Sequence, residues 1–151
     1  MKNIPSKIVM GSDHAGYNLK EKVKSYLQNK GIEITDLGTH SDEKVDYPDY
    51  VHPLAEFIKS GEFDFGIVMC GSGNGVSITA NKHQHIRCAL SWIPKIAELG
   101  RKHNNANVLA LPGRFLQEHE AYEIVDAFLN TEFEGGRHQR RIDKIPCSGA
   151  G

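Results

Sequence analysis

Apolar and polar positions switch between two periods along this chain. Residues 7–10 are a short apolar run that reads as a buried strand ending in Gly11-Ser12-Asp13-His14-Ala15-Gly16. Residues 17–30 take helical spacing, with Leu19, Val23 and Leu27 one above another and Gly31 as the stop. Residues 32–37 alternate as a strand does, and 38–45 form a polar loop. Pro48 opens a helix to about residue 59, and Pro53 inside it is expected to delay or bend its start. Residues 65–69 are an apolar run of β-formers, followed by Cys70, the turn Gly71-Ser72-Gly73-Asn74-Gly75 and a helix over 76–82. Residues 86–91 predict a fourth strand and 94–101 a helix leading to His103-Asn104-Asn105. Residues 107–111 predict a fifth strand, closed by Pro112-Gly113-Arg114. Residues 117–130 are the clearest helix, with Ala121, Ile124, Val125, Phe128 and Leu129 in one stripe. Residues 131–145 are polar and basic, and 147–151 read as a frayed end.

Strand and helix alternate throughout, which predicts an α/β fold. The expected architecture is a single-domain three-layer α/β/α sandwich with a five-stranded, mainly parallel, Rossmann-like sheet. Its core spans about 7–142, with 143–151 as a flexible tail. In such sheets ligands bind beyond the carboxyl ends of the strands. Chain order places Asp13 and His14, the loop before Tyr47, Cys70-Gly71-Ser72 and Arg114 at those ends. His103 is expected there too, as the end of an element where the sheet opens.

Composition narrows the function classes. The 151 residues suit one domain, and 39% apolar with 25% charged residues is ordinary for a soluble protein. A formal net charge of -1 offers no bulk attraction to nucleic acid or to an anionic membrane. No apolar run is long enough to span a bilayer. No apolar region follows residues 1–7, so no signal peptide is expected. Cys70, Cys88 and Cys147 show no pairing pattern and read as reduced thiols, which implies a cytoplasmic protein.

Two phosphate motifs fail on their details. Gly11 to Gly16 has Walker spacing, but Tyr17-Asn18 follows where Lys-Ser/Thr is needed. Gly71-x-Gly73-x-Gly75 is one residue short of the dinucleotide fingerprint and follows a middle strand. What remains is a thiol at a strand end facing backbone N–H groups that no side chain covers. Cys70 is either a core thiol or a reactive one; N–H donors and a helix N-terminus favour a thiolate, and Ser72 can hydrogen-bond it. Cys88 reads as core and Cys147 as an exposed thiol. Among eight histidines, His83-Gln84-His85 lacks a third ligand nearby and reads as a solvated turn, so no metal site is expected. If Gly135-Gly136-Arg137-His138-Gln139-Arg140-Arg141 is helical, Arg137 and Arg141 share a face at i, i+4 and can clamp a phosphate, with Arg140 pointing elsewhere. The bland alternative is a solvated basic tail.

Six stretches, in order, resemble the type B ribose-5-phosphate isomerases over about residues 7–142. They are G-S-D-H-A-G at 11–16, D-Y-P-D-Y at 46–50, C-G-S-G-N-G at 70–75, A-N-K at 80–82, R-x-H-N-x-x-N at 101–107 and E-G-G-R-H-Q-x-R at 134–141. The resemblance implies an aldose–ketose isomerase that needs no metal or cofactor and works through an enediolate. It implies Cys70 as the base with Ser72 beside it, His103 assisting ring opening, and Asp13 near the sugar hydroxyls. The amides of Gly71, Gly73, Asn74 and Gly75 would hold the enediolate oxygen. His14, Arg114, Arg137 and Arg141 would hold the phosphate, and Tyr47 and Asn104 would line the sugar site. One branch of the family replaces the cysteine by a glutamate just after its Gly-Asn-Gly; Val76 stands there, which points to the cysteine branch. The resemblance also implies a homodimer or tetramer with active sites shared across the interface, Cys70 of one chain facing His103 of another. The rival readings are an isomerase of aldohexose 6-phosphates, such as allose or galactose 6-phosphate, and a non-catalytic sugar-phosphate binding domain. A nucleic-acid role would rest on the basic segment alone and ranks last.

Overall fold

The computed structural model describes residues 5–147. Among these, five strands form one sheet: β1 (Lys7–Ser12), β2 (Glu33–Asp36), β3 (Phe65–Cys70), β4 (Cys88–Leu90) and β5 (Val108–Pro112), in the order β2-β1-β3-β5-β4. Every neighbouring pair is parallel, so the sheet is wholly rather than mainly parallel. The helices are α1 (Tyr17–Gln28), α2 (Pro48–Lys59), α3 (Asn74–Ala80), α4 (Pro94–Asn104), α5 (Glu118–Leu129) and α6 (Arg137–Asp143).

Alternation along the strands sends Ile8, Met10, Ile67, Met69, Leu109 and Leu111 into one apolar cluster and Val9, Val68, Cys70, Val108 and Ala110 into the other. Both faces are buried, which is why these strands read as continuous apolar runs. Right-handed crossovers then decide the layers. The step from β1 to β2 and the return from β4 to β5 run the same way across the sheet, so α1 and α4 share one face, joined by α5. The steps from β2 to β3 and from β3 to β4 run the other way, and α2 and α3 cover the opposite face.

Several boundaries differ from the sequence expectation. α2 starts at Pro48 and runs unbroken through Pro53. α3 begins at Asn74, so Asn74 and Gly75 belong to the helix and not to the turn. β4 is an edge strand of only three residues, and Cys88 opens it half-buried instead of sitting mid-strand in the core. α4 continues past His103 to Asn104 and is closed by Asn105 in the left-handed region, φ 47°. α5 starts after a capping box between Gln117 and Glu120. The basic segment does become a helix, α6, taking in Asp143. Residues 148–151 of the expected frayed end lie outside the described residues, and Cys147 is exposed.

A buried ion cluster ties the loop after β2 to the end of β1. Lys20 has no exposed surface, and its Nζ donates to Asp36 Oδ2 at 2.6 Å and Glu21 Oε2 at 2.8 Å. Lys24 adds a third bond, 2.9 Å to Asp36 Oδ2. Asp36 Oδ1 accepts from Gly38 N–H at 2.9 Å, and the Gly38 carbonyl accepts from Ser12 N–H at 2.7 Å, one residue before Asp13. Burial pushes the Asp36 carboxyl up, but the bonds from Lys20, Lys24 and the Gly38 amide outweigh it and hold the group below its ordinary value. A depressed folded value means stability present above the unfolded pKa and lost as pH falls through the folded one. Lys20→Met is therefore expected to cost about 3 kcal/mol at neutral pH, the low end for breaking a buried pair because Lys24 stays. Urea unfolding checks this, and the gap from wild type should shrink as pH drops below about 4.

Candidate active site

The chain leaves β1 for one side of the sheet and β3 for the other, so the loops at their carboxyl ends diverge and leave a crevice. A cavity of about 430 Å³ opens there, lined by Asp13, His14, Tyr47, Cys70, Ser72 and Arg114, together with Gly71 and Gly75. These residues come from four separate stretches of chain, and the carboxyl-end rule is what joined them in the sequence reading. Phe115, 75% exposed, and Ala15 also line it and were not anticipated. Their only signal was adjacency to Arg114 and His14.

Cys70 ends the central strand β3 and is only 5% exposed, so it packs with the apolar cluster as well as lining the cleft. Gly113 N–H donates to its carbonyl at 2.7 Å, and Arg114 N–H donates to the Gly71 carbonyl at 3.0 Å, which draws the β5 loop over the β3 loop. A Cβ on Gly71 would come 3.3 Å from Arg114 Cδ, so the Arg114 side chain packs directly against the turn. Gly73 has φ +80°, and a Cβ there would meet Leu90 Cδ1 at 2.5 Å; both facts require glycine. A Cβ on Gly75 would strike the Tyr47 ring at 2.5 Å, so this glycine lets Tyr47 lie on the first turn of α3.

The amides are fewer than the sequence suggested. Ser72 Oγ accepts from Asn74 N–H at 3.2 Å and from Asn74 Nδ2 at 3.1 Å, so Asn74 is spent holding Ser72. The Ser72 hydroxyl proton is left to donate. Asp13, 7% exposed, accepts from the amides of Ala15 and Gly16 through Oδ1, at 2.9 and 3.1 Å, which shapes the turn that carries His14. His14 Nδ1 lies 3.2 Å from both the N–H and the carbonyl of Val45, so Val45 engages Nδ1 and leaves Nε2 for a ligand.

The remaining expected residues are elsewhere. His103 sits in the last turn of α4 and Asn104 ends that helix. A helix that follows a parallel strand runs back against it, so the end of α4 lies at the amino edge of the sheet, opposite Cys70. The connection beyond α4 confirms this: Asn105 and Asn107 line one pocket with Pro5, Ser6 and Asp64, which precede β1 and β3. β3 has six residues, about 20 Å of sheet between the two edges. The expectation that His103 joins His14 where the sheet opens is therefore wrong for a single chain. Arg137 and Arg141 lie on α6, which packs on α4 and is tied to it by Glu134 N–H donating to the Lys102 carbonyl at 3.0 Å. The sequence-expected residues thus form two halves at opposite edges.

The histidines also cluster more than their spacing foretold. His52 Nδ1 is 2.7 Å from His83 Nε2, and the His83 and His85 rings meet edge to face, so a third histidine does stand beside that pair. Burial, then the neighbouring His52 and His85, push His83 below its ordinary pKa. His103 stacks on His138, with ring centroids 4.4 Å apart and planes 16° from parallel. With Glu134 they form a group whose ligating atoms all lie within 4.8 Å of one another, so a possible ligand set exists where none was expected. His52 and His83, like His103 and His138, are separated by more than thirty residues of sequence, and only the docking of α2 against α3 and of α6 against α4 brings them together.

A doubly wound parallel sheet with a thiol, backbone donors and a guanidinium over its switch point defines a small-molecule site suited to an anionic substrate. The model of the family described as Ribose/Galactose Isomerase matches residues 8–145. Ribose-5-phosphate isomerase B of Escherichia coli K12 is 45% identical over 139 residues, covering 92% of this chain and 93% of that protein. A ribose 5-phosphate isomerase structure from Thermotoga maritima superposes with a TM-score of 0.92 at 55% identity, covering 95% and 98% of the two chains. The enzyme from Mycoplasma genitalium, solved with bound ribulose-5-phosphate, gives 0.87 at 45% identity, covering 92% and 93%. The chain belongs to the ribose/galactose isomerase family.

Proposed function

We propose that this chain interconverts ribose 5-phosphate and ribulose 5-phosphate through an enediolate, with Cys70 as the base. The observation that carries the proposal is Cys70 at the end of the central strand, in a cleft that also holds His14, Ser72 and Arg114. Cys70 Sγ takes the proton from C2 of the open-chain aldose, the C–H electron pair forms the C1–C2 double bond, and the carbonyl oxygen becomes the anion. A proton passes from the C2 hydroxyl to O1, and as the C2–O bond becomes the carbonyl the electron pair of the double bond takes the proton back from Cys70 at C1, which yields the ketose. The Gly71 and Gly75 amides and the Ser72 hydroxyl are donors for that developing oxygen, and as parts of a formed turn and helix they need little reorganisation. Tyr47 and Asp13 border the sugar, and His14 Nε2 and the Arg114 guanidinium meet the phosphate.

His103 and Asn104, with Arg137 and Arg141, complete the site from a second copy of the chain in a homodimer. The opposite-edge placement supports this, since one chain cannot bring His103 to its own Cys70. Exposed Ile78, Trp92 and Ile93, on α3 and the β4–α4 connection, offer an apolar surface for such a partner. His103 would assist opening of the furanose, and the two guanidiniums on one face of α6 would close on the phosphate.

The test is turnover of ribose 5-phosphate beside allose 6-phosphate, with EDTA present. Faster turnover of the pentose supports the proposal; faster turnover of the hexose assigns the site to aldohexose 6-phosphates, and binding without turnover makes it a binding domain. Arg137→Ala and Arg141→Ala should each raise KM roughly tenfold to a hundredfold, the loss of charge-assisted bonds worth about 1.5–3 kcal/mol. Arg140→Ala should change KM little, because it leaves the clamp face intact.

A further inference from the structure

We infer that His103, Glu134 and His138 form a binding site for a zinc-type divalent cation, and that the cation inhibits turnover by occupying His103. The inhibitory half rests on the function proposed above; the binding half does not. The three side chains reach one place from the end of α4, the connection before α6 and the first turn of α6. His138 is the fixed member. Its side chain is 8% exposed, and its Nε2 is buried without a hydrogen-bond partner among the described residues. Glu134 Oε1 is 3.7 Å away, beyond hydrogen-bond reach. A buried imidazole nitrogen facing a carboxylate across that gap has the spacing that a bridging cation fills.

The donor set selects the ion. Two imidazoles and one carboxylate suit zinc and its borderline neighbours, whereas magnesium and calcium take oxygen ligands. Around tetrahedral zinc, bonds of about 2.0–2.2 Å put the donor atoms roughly 3.4 Å apart. The present group, within 4.8 Å, must therefore tighten. Two members can move: Glu134 is 39% exposed, and His103 is half-buried in a terminal helical turn. The His103 ring must turn out of its stack on His138, because the lone pairs of near-parallel rings do not converge. The exposed ion pair between Glu134 and Arg137, 3.8 Å long, must also open, at small cost. Three protein ligands leave a fourth position for water, the pattern of an accessible zinc site.

The experiment is calorimetric titration of zinc into the chain freed of metal, without substrate, followed by assays with ribose 5-phosphate at fixed zinc. One zinc per chain is expected, weakened at least tenfold in Glu134→Gln, with magnesium giving no signal. Zinc should raise the apparent KM, and EDTA should restore it. Glu134→Gln should turn over normally without zinc and need at least tenfold more zinc for the same inhibition. Absence of zinc binding overturns the site, as does binding that Glu134→Gln leaves unchanged. Binding that disappears in His83→Gln or Cys70→Ala also overturns it, by placing the ion on the His52–His83 pair or on the thiol. Binding without inhibition overturns the inhibitory half. A chain inactive even in EDTA refutes the proposed function, while the calorimetry still decides the site.

Discussion

Cys70→Ala is expected to lower kcat by about 10²- to 10⁴-fold, the usual contribution of a positioned general base, with KM changed little. Arg114 and His14, which meet the phosphate, are untouched by the change, and so is the glycine turn. The fold should persist at a modest cost. Cys70 is 5% exposed and touches the apolar cluster, so removing its sulfur should lower Tm by about 2–4 °C for a loss near 1 kcal/mol. Thermal unfolding and steady-state kinetics on the same preparation separate the two effects. A variant that keeps a tenth or more of its activity would remove Cys70 from the chemistry. Alkylation gives an independent reading in a Cys147→Ser background, which takes away the exposed thiol. Burial pushes the Cys88 thiol up to about 12, against a small opposing hydrogen bond from Ser77, so Cys88 stays protonated and unreactive at neutral pH. Inactivation by iodoacetamide should then follow modification of Cys70 alone, and ribose 5-phosphate should slow it.

Mixing two inactive variants is the second strong test. Cys70→Ala and His103→Ala chains, refolded together, should recover about a quarter of wild-type activity if the sites are shared between two equivalent halves. Half of the dimers are then mixed, and each mixed dimer carries one doubly damaged site and one intact site. The expectation follows from the sheet, since Cys70 ends β3 at the carboxyl edge and His103 lies in the last turn of α4 at the amino edge. No recovery, with mixed dimers visible by native mass spectrometry, would show that both residues serve within one chain and that the helices rearrange in solution.

Much of this architecture was readable residue by residue. The helical stripe of Ala121, Ile124, Val125, Phe128 and Leu129 is buried as its spacing foretold, and all five are in the core. The apolar runs at β1, β3 and β5 are strands because both sheet faces are covered, so no polar alternation interrupts them. The cleft residues were legible for a topological reason: in a parallel sheet every strand's carboxyl end lies on one edge, so order along the chain predicts proximity in space. The short edge strands were over-read. Residues 86–91 have the composition of a longer strand, but β4 has one neighbour and pairs only over Cys88–Leu90.

His103 marks where that logic stops. The same topological rule, applied to the helices, puts their far ends on the opposite edge, and a polar cluster at an element's end does not by itself say which edge it occupies. The local pattern alone determined the strands, the helices, the glycine turn and the thiol that ends the central strand, because period, turn chemistry and chain order act over a few residues. Tertiary structure alone decided that Asn74 holds Ser72, that Asp13 shapes the turn bearing His14, and that His52 meets His83 and His103 meets His138. Those contacts depend on how side chains orient within a turn and on how helices separated by about thirty residues dock on a shared sheet. Neither is encoded in any local period.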